Sequence, residues 1–152
     1  MVSNHADITG GIVVGHDGSR AAGTVVRVAA DLAHRLGVTL HVVRVWHLAT
    51  APRPDSMVGG YVPPVAEFEQ AVIADLKADC TAAGLRDDVD LELYALRGQS
   101  AECLIKAAQK AEMLVIGVRG AGGFAGLRFG STATQVVRHS PVPVLVVPNI
   151  PD

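Results

Sequence analysis

The chain has 152 residues, a formal net charge of −2 and 49% hydrophobic residues with few aromatic ones, which predicts a single domain over residues 1–152 with an aliphatic core. The balanced charge lacks the basic excess of nucleic-acid-binding proteins, and the sequence has no apolar run of about 18 residues for a membrane span. The amino terminus shows no secretion signal, so we expect a cytoplasmic protein that binds neither nucleic acid nor membrane.

The first third of the chain predicts a strand, a helix and a second strand. Residues 11–15 form a short apolar run, and His16–Ser19 then turns the chain into a helix for which Asp17 or Ser19 is a candidate N-cap. Apolar residues recur at helical spacing up to Leu36, where Gly37 provides a C-terminal stop. The second strand is predicted from Val38 to Trp46.

The rest of the chain continues the same alternation. Residues 47–64 contain four prolines and are predicted to form a loop. The predicted elements that follow are a helix over 65–83, a strand over 89–95, a helix from a Ser100 cap to Ala111, a strand over 113–117, a glycine-rich loop over 119–130, a helix over 131–139 and a strand over 142–147.

This βαβαβαβαβ order predicts an α/β fold. We expect an open five-stranded parallel sheet with helices on both faces, a Rossmann-like architecture joined by right-handed crossovers. Ligands in such sheets bind beyond the carboxyl ends of the strands, where the strand order reverses. The loops after the first and fourth predicted strands are therefore the expected site.

The loop after the fourth strand has the composition of a phosphate-binding loop. Its glycines allow an anion to approach the backbone closely, and Ser131 opens a helix whose free N–H groups favour a phosphate. Arg119 and Arg128 offer charge-assisted contacts to the same ligand. The alternative interpretation is a flexible connection, for which twelve residues would be long.

Other motifs of this fold class fit less well. A P-loop needs Gly-x-x-x-x-Gly-Lys-Ser/Thr, which does not occur in the sequence. Residues 120–125 match Gly-x-Gly-x-x-Ala, but they do not run directly into a helix and no acidic residue follows at the required distance. A phosphoacceptor receiver domain would need an aspartate at the end of the third strand, where the chain reads Ala95-Leu96-Arg97.

The spacing Gly117-x2-Gly120-x9-Gly130-Ser131 resembles the ATP-binding signature of the universal stress proteins. Residues 12–19 resemble the first strand and aspartate turn of that family, and residues 141–148 resemble its closing strand. The resemblance thus covers nearly the whole chain. It implies a nucleotide-binding regulator of the stress response that takes ATP, with Mg²⁺ held largely by phosphate oxygens and water.

The resemblance also implies roles for individual residues. Asp17 would lie beside the adenosine, and the backbone at Val45 would border the adenine. The ribose and inner phosphates would be wrapped by the loop's first part, and the outer phosphates by its last. The predicted nucleotide site comprises Gly15, His16, Asp17, Val45, Ile116, Gly117, Arg119, Gly120, Arg128, Gly130, Ser131 and Thr132.

Two departures from the family pattern leave alternatives open. His16 stands where many relatives have an apolar or small residue, and Thr132-Ala133 follows Gly130-Ser131 where ATP binders usually have Val and then Ser or Thr. ADP, AMP or no nucleotide at all are therefore alternatives to ATP. Asp17 and Ser131 can alternatively be plain helix caps.

No catalytic residues and no metal site are predicted. The sequence shows no general base or carboxylate pair for efficient hydrolysis, so we expect slow ATP hydrolysis at most. The alternatives to a nucleotide-binding module are an interaction protein of the same fold and, by fold analogy alone, an enzyme that acts on an adenylated molecule. Cys80 and Cys103 match no metal or redox spacing.

The last predicted strand, Val142 to Val147, is apolar and lies at a sheet edge. Bare apolar edges favour pairing with another chain, and the family resemblance implies a homodimer through this strand. Pro143 and Pro148 would limit the length of that pairing because proline donates no hydrogen bond.

Overall fold

The computed structural model describes residues 2–118 and 129–149 of the chain. In this part, strands and helices alternate along the sequence as a parallel α/β fold requires. The elements are β1 (Val2–Ser3), β2 (Ile12–His16), α1 (Ala21–Leu36), β3 (Leu40–Trp46), α2 (Val65–Ala82), β4 (Leu91–Arg97), α3 (Ser100–Ala107), β5 (Met113–Gly117), α4 (Ser131–His139) and β6 (Val144–Val147).

The strands form one sheet in the order β1-β4-β3-β2-β5-β6, and every pair is parallel. The predicted α/β fold is confirmed, with its five long strands and four helices. The sheet has one strand more than predicted, because Val2 and Ser3 pair with Leu93 and Tyr94 at the edge of β4. Two residues carry no recognisable strand pattern, so sequence periodicity could not reveal this strand.

Helices cover both faces of the sheet. All seven residues of β3 are buried, as is typical of a strand at the centre of a parallel sheet. Apolar side chains of α1 and α2 pack on one face around Val14 and Leu40, and those of α3 and α4 pack on the other around Val13 and Leu114. Among the described helices, none is long and apolar enough to cross a membrane.

Helix starts differ from the prediction at α1 and α3, whereas α4 begins at Ser131 as predicted. Arg20, rather than Asp17 or Ser19, occupies the N-cap position of α1, and its side chain makes no capping hydrogen bond. Gln99 caps α3 because its side-chain oxygen accepts a hydrogen bond from the Glu102 N–H at 2.7 Å, so the predicted Ser100 cap was wrong. Ser131 is the first helical residue of α4, and Gly130 precedes it as N-cap.

Strand order places a cleft at one point of the sheet. β2 pairs with β3 on one side and with β5 on the other, so the chain winds in opposite directions from β2. The carboxyl ends of β2 and β5 therefore diverge into loops on opposite faces, which leaves room for a ligand between them. This is the position predicted from the βα alternation.

Candidate functional site

A cleft of about 590 Å³, including the solvent at its mouth, lies at the carboxyl ends of β2, β3 and β5. The first turns of α1, α3 and α4 complete its walls. The lining residues are Gly15, His16, Asp17, Ser19, Ala21, Ala22, Val25, Val43, Val45, Ser100, Leu104, Ile116, Gly117, Thr132 and Ala133.

The cleft brings together predicted residues that are far apart in sequence. Of the predicted site, it contains Gly15, His16, Asp17, Val45, Ile116, Gly117 and Thr132. Gly130 and Ser131 begin α4 directly before Thr132. Arg119, Gly120 and Arg128 lie outside the described residues. The geometry thus joins the aspartate turn, the end of β3 and the start of α4 into one site.

The inner wall of the cleft is apolar. Val45 comes from β3, Ile116 from β5 and Leu104 from α3. A side chain at Gly15 would come within 3.0 Å of Leu104 Cδ1, so glycine keeps this wall open and allows α3 to pack closely on β2. An apolar slot of this kind suits the flat face of an aromatic ring.

Another wall of the cleft is the amino-terminal end of α4. Gly130 is extended and has no side chain to cap the helix, and among the described residues no side chain accepts a hydrogen bond from the first N–H groups of α4. The first turn contains no acidic residue, and Thr132 and Ala133 face the cleft. The helix dipole and these N–H groups favour an anion at this end.

The two ends of the glycine-rich loop are held together by backbone hydrogen bonds. The Gly130 N–H donates to the Val118 carbonyl at 2.9 Å, and the Val118 N–H donates to the Val147 carbonyl at 2.9 Å. Residues 119–128, which lie between these ends, are outside the described part. The start of α4 is therefore fixed to the end of β5, so that Gly117 and Thr132 share one cleft.

A tight turn after β2 forms the third side of the cleft. Asp17 Oδ1 accepts a hydrogen bond from the Ser19 N–H at 2.9 Å, and His16 Nδ1 accepts one from the Gly18 N–H at 3.1 Å. Gly18 has φ +81°, a conformation that favours glycine. Asp17 thus shapes the turn with its own side chain, although it does not cap α1.

A polar cluster of two buried and two partly exposed residues supports this turn from the α2 side of the sheet. Arg44 is 4% exposed, and its Nη1 lies 3.1 Å from Asp75 Oδ2. His16 is also 4% exposed, and its Nε2 lies 3.7 Å from Asp79 Oδ2. Burial, with a smaller contribution from the Arg44 charge, lowers the pKa of His16 below its ordinary value. We name these four residues, His16, Arg44, Asp75 and Asp79, the turn-support cluster.

Sequence reasoning missed most of this cluster and several lining residues. Arg44 and His41 are the two polar residues that interrupt the apolar buried strand β3, and the charge of Arg44 was a signal that it needs a charged partner. Its partners Asp75 and Asp79 are one helical turn apart on α2, but no local spacing links them to β3. Val43 lines the cleft because it lies two residues before Val45, on the same face of β3. Ala133 lines it because it follows Thr132 in the first turn of α4.

The described residues contain neither a metal-binding cluster nor a thiol with a lowered pKa. Among them, no three His, Cys, Asp or Glu side chains are arranged to hold a metal ion. Burial raises the pKa of Cys80 to about 11, and burial also raises that of Cys103. Both thiols are therefore protonated near neutral pH and are poor nucleophiles.

Comparison with known proteins identifies relatives of this chain. The profile of the universal stress protein family matches residues 10–148. A universal stress protein of Mycobacterium tuberculosis (strain H37Rv) is 34% identical over 136 residues, which cover 90% of this chain and 47% of that protein. The chain spans about half the length of the curated relatives it matches.

Solved structures share the fold. A universal stress protein in complex with cAMP is 26% identical, with a TM-score of 0.59, and the match covers 91% of this chain and 95% of that one. A universal stress protein from Lactobacillus plantarum has a TM-score of 0.64 at 22% identity, with coverage of 94% and 99%. The second likeness supports the fold alone.

Proposed function

We propose that this chain, which belongs to the universal stress protein family, binds an adenine nucleotide in the cleft between the turn after β2 and the start of α4. ATP is the proposed physiological ligand, and the protein acts as a cytoplasmic regulator of the stress response. The observation that carries the proposal is the cleft itself, which joins an apolar slot to the helix amino terminus at Gly130.

The apolar slot is the proposed adenine site. Val45, Ile116 and Leu104 line this slot. A purine ring would gain stability there from burial of its apolar faces, at roughly 25 cal/mol for each Å² removed from water. Asp17 lines the same cleft, and its carboxylate is proposed to accept hydrogen bonds from ribose hydroxyls.

The start of α4 is the proposed phosphate site. Its first-turn N–H groups and positive dipole end favour a phosphate, and the Thr132 hydroxyl faces the same space. The glycines and arginines of residues 119–128 are proposed to complete the phosphate shell. Mg²⁺ would enter with the nucleotide and hold its phosphates through oxygen and water ligands.

The related structure with cAMP supports an adenine nucleotide as the ligand class. That protein is 26% identical to this chain, and its complex concerns that protein alone. The number of phosphates is argued from this chain's own residues. The helix amino terminus beside the apolar slot is proposed to hold the outer phosphates.

Calorimetric titration of the purified protein with ATP and Mg²⁺ tests this proposal directly. We expect saturable binding with one ATP for each chain, and weaker binding of AMP, because AMP lacks the outer phosphates. Equal affinities for ATP and AMP would contradict the proposed phosphate site. No binding of any adenine nucleotide would instead favour the interaction protein of the same fold, which the Thr132-Ala133 departure suggests.

We also propose a homodimer that forms through β6. This strand is the edge of the sheet next to β5, and its Leu145 side chain is 36% exposed. An unpaired apolar edge readily pairs with the same edge of a second copy, which gives a closed twofold assembly.

Replacing Leu145 by lysine is expected to convert the dimer into a monomer, because it places a charge in the proposed apolar contact. The measurement is sedimentation equilibrium at micromolar concentration. Leu36→Lys is the matched control, since Leu36 is 54% exposed in the last turn of α1, where lysine is favourable. A wild-type monomer, or a Leu145→Lys protein that remains dimeric, would contradict this interface.

A further inference from the structure

His16 lines the cleft, and its ring also reaches a buried position beside α2 that is not used by the proposed nucleotide contacts. Along β2, Gly15 faces Leu104 of α3, so the next side chain, His16, faces α2. Its ring is 2% exposed and reaches back to the turn that follows it, where Nδ1 accepts the Gly18 N–H. The ring therefore ties the backbone of the turn to the interior of the protein.

The direction of this hydrogen bond fixes the protonation state of His16. A backbone N–H donates, so Nδ1 must be the unprotonated nitrogen and the ring proton must lie on Nε2, toward Asp79. A protonated ring carries hydrogens on both nitrogens and cannot accept from Gly18. Protonation would thus replace an attractive contact by two opposed N–H groups.

We propose that His16 is a positioning residue that holds the turn over residues 17–19 at the nucleotide site while its ring is neutral, and that protonation of the ring releases the turn. This inference rests on the proposed function. It assigns acid sensitivity of nucleotide binding to the buried ring of His16.

The charges that face His16 come from three elements. Arg44 of β3 disfavours a second positive charge, whereas Asp75 and Asp79 of α2 and Asp17 of the turn favour it. Burial is the largest influence, and together these effects lower the pKa of His16 below the ordinary value of 6.5. His16 is therefore neutral at pH 7, and it gains its proton as the pH falls through that lowered pKa.

The consequence for binding has a definite sign. The neutral ring supports the nucleotide-competent turn, so affinity is retained at neutral pH and declines as the pH falls through the lowered pKa of His16. Linkage to a single proton permits at most about a tenfold loss of affinity for each pH unit. ATP also titrates in this range, so the effect of His16 must be isolated by a variant that cannot titrate.

His16→Asn and His16→Gln form a matched pair for this test. The Asn side chain can place an amide oxygen near the position of Nδ1, whereas the longer Gln side chain carries its oxygen near the position of Nε2. Both are neutral at every pH used. Dissociation constants for ATP with Mg²⁺ are measured by calorimetry from pH 7.5 to 5.0, with each protein normalised to its own value at pH 7.5.

The normalised wild-type constant is expected to rise relative to that of His16→Asn as the pH falls, by at most about tenfold for each pH unit. His16→Asn is also expected to bind ATP more tightly than His16→Gln at pH 7.5, since it retains an acceptor for Gly18. A wild-type profile parallel to that of His16→Asn, or one in which acid strengthens relative binding, would overturn the inference while leaving the proposed function intact.

A nucleotide-free measurement separates this inference from the proposed function. The Gly18 amide resonance of the unliganded protein is expected to shift with the titration of His16 and to stay constant in His16→Asn. If the protein binds no nucleotide, the proposed function fails, and the nuclear magnetic resonance titration still decides whether His16 holds the turn. A Gly18 resonance that ignores His16 titration would overturn the inference.

Discussion

Replacing Thr132 by glutamate is expected to lower the affinity for ATP by about 100-fold, equivalent to about 2.7 kcal/mol, without lowering thermal stability. Thr132 lies in the first turn of α4 and faces the cleft. A carboxylate there repels the phosphates and competes for the same N–H groups. The helix itself tolerates the change, because a negative charge near its amino terminus interacts favourably with the dipole. Calorimetry measures the affinity, and thermal unfolding measures the stability.

Gln135→Glu is the matched control for this experiment. It adds the same charge to the same helix at an exposed position outside the lining of the cleft. We expect ATP affinity within about threefold of the wild type, since an exposed charge at this distance is largely screened by salt. Equal losses in Thr132→Glu and Gln135→Glu would indicate a general charge effect and would contradict phosphate binding at the start of α4.

The parts of the fold that could be predicted from sequence were those with strong local signals. β5 and α4 have the predicted bounds, because a short apolar run between polar residues and a glycine-serine helix start are both unambiguous. β6 starts at Val144 rather than Val142, because the Val142 N–H and carbonyl are engaged by the Ser140 hydroxyl in a local turn. No periodicity reveals such a side-chain contact.

The candidate site was predictable where a motif marks a backbone feature and not where tertiary contacts decide. The loop after β2 and the start of α4 have motifs, and the structure places both at one cleft. The ion pair between Arg44 and Asp75 joins residues 31 positions apart, so it depends on how α2 docks on the sheet. Sequence shows that a buried arginine needs a partner, but the fold selects that partner.

Replacing Gly18 by alanine is expected to disrupt both the turn and the turn-support cluster. A Cβ at this position would lie 2.6 Å from Arg44 Nη2 and 2.7 Å from its Cζ, and the backbone has φ +81°. Arg44 is held in place by burial and by Asp75, so the turn must move away. We expect ATP affinity to fall by at least about tenfold and stability to fall by about 2–4 kcal/mol, from left-handed strain and overpacking together.

Gly84→Ala separates these two contributions. Gly84 has a similar φ of +65°, but a Cβ there would meet no atom within 4 Å, so alanine brings the strain without the clash. We expect a stability loss of about 1–2 kcal/mol and unchanged ATP affinity, because Gly84 lies between α2 and β4 and outside the lining of the cleft. Urea unfolding measures the stability of the two variants, and calorimetry measures their affinity for ATP. The contrary result is a Gly18→Ala protein that loses no more stability than Gly84→Ala and retains ATP binding. That result would show that close packing of the turn on Arg44 is not needed to form the nucleotide site.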